Sequence, residues 1–217
     1  MTGPEAKRLL LLGCGPFAVE IADVVSAVDE FCVKGFVHNL AEEPGPSELE
    51  GWPVFRVEDL APLAGSHWAL AALGTTRRQG FIEQVAALGI PFATIIHPSA
   101  ARSATASVGT GSLVGVRAVL AAHARLGRHV LVNRGALIGH HTLIGDYVTI
   151  GPGANIAGSC RVGNATYIGM GAIVLDHITI GAHSLVGAGA VVIRDVPDHV
   201  EVVGMPARIV KENFPGK

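Results

Sequence analysis

His140 and His141 stand side by side in the chain, shortly after Asn133 and shortly before Asp146. An exposed histidine suits proton transfer, because its unperturbed pKa of about 6.5 lies near working pH. It can take the proton of an amine or hydroxyl group as that group attacks an acyl carbonyl. A solvated or interface histidine accounts for the same residues equally well. Further histidines at His123, His129, His177 and His183 raise the alternative of a catalytic zinc ion, which requires three well-placed ligands. Cys160 is a candidate acyl-carrying nucleophile, although its position in the repeat described below favours a packed core cysteine.

A second constellation lies near the start. Gly13-Cys14-Gly15-Pro16-Phe17-Ala18 follows the apolar run Leu9 to Leu12 and opens a helical pattern. That arrangement matches a loose dinucleotide fingerprint, in which a helix N-terminus receives a phosphate. NAD binding also wants an acid after the second strand, and Val37-His38-Asn39 stands there instead. Capture of a sugar nucleotide and a plain tight turn are the two readings of this loop. Lys7-Arg8 before the leucines superficially resembles a lipoprotein signal ending at Cys14, but the apolar stretch is short and is expected to be a buried first strand.

The elements that must position these groups follow from periodicity. Every sixth residue from Val108 through Val114, Leu120, Leu126 and onward to Val192 is aliphatic. Glycine usually comes next, as at Gly109, Gly127, Gly145 and Gly163, and a small residue such as Ala118, Ala136, Cys160 or Ala172 comes four places on. Fixed-period self-similarity is the signature of a solenoid. Each repeat makes one short strand and one corner, and three repeats close a triangular coil. The aliphatic side chain fills the interior, the small residue prevents overfilling, and the glycine near the corner is expected to adopt angles that side chains oppose. About five coils result. Residues one coil apart stack in columns, placing His123 beneath His141, then Ser159 and His177, with His129 and His183 sharing a column with Tyr147 and Ala165. His140 and His141 fall at a corner and project outward.

Before residue 96 apolar strands alternate with helices. Strands are expected at Leu9 to Leu12, Val33 to Val37, Val54-Phe55, Trp68 to Leu73 and Phe92 to Ile96. Helices are expected at Phe17 to Val28, Val57 to Leu63 and Arg78 to Leu88, and a surface loop over Ala41 to Pro53. The fold class is therefore an α/β Rossmann-like domain over residues 1–96, followed by a parallel β-helix of hexapeptide repeats over 97–217 that ends in a short cap after Val192. Charged residues make up 16% of the chain and the net charge is −2, which argues against capture of nucleic acid. No apolar run is long enough for a membrane span. Three scattered cysteines suit a reducing cytoplasm, and small molecules are the expected partners.

The run from Asn133 through Gly139-His140-His141-Thr142 to Asp146-Tyr147 resembles the active-site coil of the hexapeptide-repeat sugar acyltransferases. These include the sialic acid O-acetyltransferases and the N-acetyltransferases of nucleotide-linked 4-amino sugars of the bacillosamine and perosamine type. The resemblance extends to the glycine-rich start, to Ile96-His97-Pro98-Ser99-Ala100, and to the ending from Gly187 through Gly204-Met205-Pro206-Ala207-Arg208-Ile209. It implies a left-handed coil, an exception to the usual crossover rule, and acetyl-CoA as co-substrate with no metal. Transfer of the acetyl group to an amino or hydroxyl group of a sugar is the implied activity.

Carried over by position, the catalytic base falls on His140 and a substrate contact on Asn133. His141 occupies the place where the family usually has an acid, and Asp146 is the nearest carboxylate in sequence. Cofactor contacts are implied at Gly158, Thr149, Met170 and Ala188. The acceptor pocket falls on Gly13, Gly15, Phe17, His38 and Asn39; there the family often has glycine-histidine in place of Pro16-Phe17, and its bacillosamine enzymes have paired aspartates in place of His38-Asn39. A homotrimer is expected, since the uninterrupted repeats leave no long loop to wall a pocket within one chain. The rival readings are a γ-type carbonic anhydrase, whose solenoid carries a three-histidine zinc site, and a non-catalytic sugar-nucleotide-binding scaffold.

Overall fold

The computed structural model describes residues 6–39 and 47–217. They divide into two compact units, one of Met1–Gly74 and Arg78–Ile95, the other of Thr75–Arg77 and Ile96–Lys217.

In the first unit the apolar run becomes β1 (Lys7–Leu12), whose four leucines are fully buried. β2 (Phe31–His38) pairs with it on one side and, on the other, the strand His67–Ala71, all parallel. Trp52–Arg56 adds a fourth parallel strand outside β2. Helix α1 (Pro16–Ser26) starts on a proline, whose missing N–H costs nothing in a first turn. It buries Ala18, Ile21, Ala22 and Val25, the stripe expected of an amphipathic helix on a sheet.

Several local expectations change. Residues 41–46 of the expected loop lie outside the described residues, and the remainder is a hairpin. Glu48–Leu49 runs antiparallel to Trp52–Arg56 around Glu50 and Gly51, both at positive φ, the twist that two-residue hairpin loops favour. Val57–Leu63 winds as a 3-10 helix with Pro62 inside it. The strand expected over Phe92 to Ile96 reduces to a bridge from Phe92 to Ala69 and a two-residue strand at Ile95–Ile96.

The second unit is the solenoid. Two-residue strands recur every six residues and pair in parallel with the strand one coil later, as in Leu131↔Thr149, Leu137↔Asn155 and Leu143↔Arg161. This makes three faces. The first contains Leu131–Val132 and Thr149–Ile150, the second Leu137–Ile138 and Asn155–Ile156, and the third Leu143–Ile144 and Arg161–Val162. The coil begins earlier than the aliphatic ladder shows, since Ala101–Arg102 already pairs with Val119–Leu120. It also persists past Val192. Val196 bridges to Ile180, Glu201–Val203 pairs in parallel with Leu185–Val186, and only Arg208–Lys211 folds back antiparallel.

The glycine after each aliphatic residue has a different task from the one expected. None of Gly109, Gly127, Gly139 or Gly163 has positive φ; a β-carbon on Gly139 would lie 2.4 Å from the backbone of Ala157 in the next coil. These glycines permit close stacking of corners. The left-handed residue comes two places later, and histidine fills that place repeatedly, at His123, His129, His141, His177 and His183, all with φ between 55 and 61. The crowding of histidines is thus a property of one corner position. Inside, small polar residues serve the stack: the buried Thr142 hydroxyl donates to Ala157 O at 2.9 Å and accepts from Cys160 N–H at 3.2 Å.

Candidate active site

The corner between the second and third faces carries Gly139-His140-His141-Thr142, and both imidazoles are exposed. Main-chain bonds hold the corner from both sides, with His141 N–H donating to Ala122 O at 2.9 Å and Ser159 N–H donating to His140 O at 2.8 Å. The His140 ring lies over Gly158 in the next coil, where a β-carbon would approach Cε1 at 2.5 Å and Nε2 at 2.6 Å. Only glycine leaves room for the ring there. Nδ1 of His140 is 3.2 Å from Nδ1 of His141, with the rings nearly perpendicular at 81°. His141 in turn rests against the His123 ring, centroid to centroid 4.7 Å. The amides of Gly158 and Ala188 donate to no group among the described residues, so both are available to an oxygen of a bound molecule.

Asp146 is at the next corner, beyond the strand Leu143–Ile144. Its Oδ1 accepts from Arg128 backbone N–H at 2.8 Å, and its Oδ2 accepts from Arg128 Nε at 3.1 Å and Nη2 at 2.8 Å. Burial opposes ionisation of this carboxyl, but the Arg128 hydrogen bonds and charge outweigh it and hold its pKa below the usual carboxylate range. Asp146 belongs to a ladder that continues where Asp146 N–H donates to Asn164 Oδ1 at 2.9 Å. The structure therefore brings His141 to His140 and commits Asp146 to Arg128.

Asn133, Met170 and Ala188 occupy the corner between the first and second faces, one face away from His140 and Gly158. Asn133 is buried and donates Nδ2–H to Ile150 O at 3.0 Å. Met170 and Ala188 are exposed, while Thr149 is buried on the first face. Between the two corners the second face presents Leu137 and Ile173, 39% and 42% exposed, flanked by Leu175 and Ile193.

In the first unit Gly13 has φ 126 and a β-carbon there would lie 2.9 Å from Ala72 O, so a side chain is excluded twice over. Gly15 caps α1 in an extended conformation with open space around it, and Phe17 is half-buried. His38 ends β2 buried, with Nδ1 unpartnered, and Asn39 Nδ2 reaches Gln84 Oε1 at 3.4 Å. Cys160 is fully buried, and burial raises its thiol pKa, which disfavours the nucleophilic thiolate. Among the described residues no three His, Cys, Asp or Glu side chains converge to hold a metal ion. Sequence reasoning placed His123 beneath His141 but missed Arg128, the partner of Asp146. Each is one coil before the residue it contacts, so column spacing is the signal that finds both.

A parallel coil of stacked six-residue repeats is the architecture of the hexapeptide-repeat proteins. The family model described as bacterial transferase hexapeptide (six repeats) matches residues 123–158 and 159–194. Comparison with curated proteins returned no match. Among solved structures the chain is similar to a histidine-to-asparagine mutant of perosamine N-acetyltransferase from Caulobacter crescentus, in complex with CoA and GDP-perosamine. Identity is 30%, coverage 94% of this chain and 97% of that one, and TM-score 0.86. It is similar to the acetyltransferase domain of PglB from Neisseria gonorrhoeae in complex with acetyl coenzyme A, at 32% identity, 94% and 100% coverage and TM-score 0.85. WeeI from Acinetobacter baumannii matches at 27% identity, 94% and 100% coverage and TM-score 0.81. The chain belongs to the hexapeptide-repeat sugar acyltransferases, and its coil is the left-handed β-helix of that family.

Proposed function

We propose that the protein transfers the acetyl group of acetyl-CoA to an amino group of a nucleotide-linked 4-amino sugar, with His140 as general base. The observation that carries this is the His140 imidazole held outward on Gly158, beside the unused Gly158 amide. The sugar amine attacks the thioester carbonyl and its proton passes to His140 Nε2. The negative oxygen is met by a backbone N–H, and collapse expels the CoA thiolate, which takes the proton. No bond to the enzyme forms. A hydroxyl acceptor would follow the same path. The relatives that bind CoA with GDP-perosamine, or acetyl coenzyme A, support the choice of donor and acceptor class.

The working form is a homotrimer. Asn133, Met170 and Ala188 sit one face away from His140 and Gly158 in the same chain, and the apolar second face between them suits contact with a neighbouring solenoid. The Gly13 to Phe17 loop holds the nucleotide part of the acceptor at the start of α1. Three free cysteines fit a reducing cytoplasm.

The test is thiol release from acetyl-CoA against UDP-, GDP- and dTDP-linked amino sugars and free sialic acid, with native protein and with His140→Ala. One nucleotide-linked amino sugar should turn over, and the variant should lose at least about a hundredfold in kcat. Near-native turnover by the variant removes His140 from the mechanism. Activity on sialic acid alone moves the reaction to oxygen.

A further inference from the structure

We infer that His141 is a positioning residue that holds His140 in the tautomer its chemistry needs, taking the part that a carboxylate would otherwise play. This deepens the general-base proposal and rests on it.

Each neutral imidazole carries one N–H, and the two Nδ1 atoms face each other at 3.2 Å. One proton can lie between them. If it belongs to His140, then Nε2 of His140 has a free lone pair and can accept a proton from the acceptor sugar. If it belongs to His141, Nε2 of His140 already carries hydrogen and is useless as a base. Chemistry itself favours the first arrangement. Once His140 has taken the substrate proton both of its nitrogens are donors, and Nδ1–H donates to Nδ1 of neutral His141 in a charge-assisted bond stronger than the neutral one. The bond strengthens as the reaction advances, which is where stabilisation accelerates the step.

Three features hold His141 to this task. Its backbone is left-handed, with φ 58, and is tied to Ala122 O. Its ring is laid against His123 at 4.7 Å, tilted by 39°. Asp146, the nearest carboxylate in sequence, is bonded to Arg128 instead.

The test uses two substitutions that both tolerate a left-handed backbone. His141→Gly removes the acceptor, whereas His141→Asn keeps an acceptor oxygen that does not titrate. Long-range ¹H–¹⁵N spectra of the full-length protein report the His140 tautomer without any substrate. Expected are an Nδ1–H His140 in the native protein, a mixed tautomer in His141→Gly, and restoration in His141→Asn. In the thiol-release assay with acetyl-CoA and the best sugar of the panel, His141→Gly should lower kcat about tenfold or more with KM within about twofold, and His141→Asn should recover most of the loss. An unchanged tautomer and kcat in His141→Gly overturns the inference, as does a His141→Asn variant as impaired as His141→Gly. If His140→Ala stays active, the base assignment fails instead. If His140→Ala is inactive while His141→Gly is unaffected, only the role of His141 fails.

Discussion

The His140 imidazole is seated on Gly158, one coil further along, closely enough that the ring occupies the space a β-carbon would need. This contact ties the proposed base to a glycine in its own column, one place after the usual repeat glycine position, where Ala157 stands. Gly158→Ala should therefore push the ring off its seat while leaving the coil intact. Thiol release should fall by about ten- to a hundredfold, since displacement of about 1 Å is enough for such losses. The melting temperature should stay within about 3 °C of native. A fully active Gly158→Ala protein would show that the ring position is unimportant.

The repeat glycines are needed for the approach of coils rather than for unusual angles, and the two kinds of glycine can be separated. Gly163→Ala would place a β-carbon 2.4 Å from Ala182 N and 2.7 Å from Ala182 Cα, atoms that cannot rotate aside. It should cost about 1–3 kcal/mol in chemical denaturation. Gly153, at φ 65 with nothing within 4 Å, should accept asparagine at a cost of about 0.5 kcal/mol or less. Equal costs for the two substitutions would contradict this division.

Asp146 supplies a pH signature. Its folded-state pKa lies below the unfolded value because the Arg128 bonds outweigh the burial that opposes them. A depressed carboxylate stabilises the folded state fully above the unfolded pKa and loses that contribution as pH falls through the folded value. Asp146→Asn should melt below native at pH 7, and the gap should narrow as the buffer is taken from pH 5 toward pH 3. Catalysis should be far less affected than by His140→Ala, since Asp146 faces Arg128. A gap that stays constant down to pH 3 would argue against the ion pair.

The exposed apolar face gives a test of assembly. Leu137→Arg together with Ile173→Arg puts two charges on the second face. Light scattering should report trimers for the native chain and monomers for the double variant, with thiol release lost in parallel. Monomeric native protein, or a double variant that remains trimeric, would place the subunit contact elsewhere.

Much of this molecule was legible in the chain because a six-residue period leaves little freedom. Once each coil holds three repeats, the aliphatic positions must fill the interior, residues one coil apart must stack, and His140 and His141 must emerge at a corner. The α/β order of the first unit followed instead from apolar strands alternating with helical segments, apart from short elements such as the Glu50-Gly51 hairpin, which has no periodic signal. Tertiary structure alone decided what the stacked residues do to one another. A column places Arg128 under Asp146 and His140 under Gly158, but whether a side chain bonds, stacks or makes room depends on its torsion angles and on the atoms it meets. Those contacts took Asp146 away from His140 and set His141 against it. They also moved the left-handed position from the glycine to the residue two places later. Period determines which residues meet, and only packing in three dimensions determines which of them form the site.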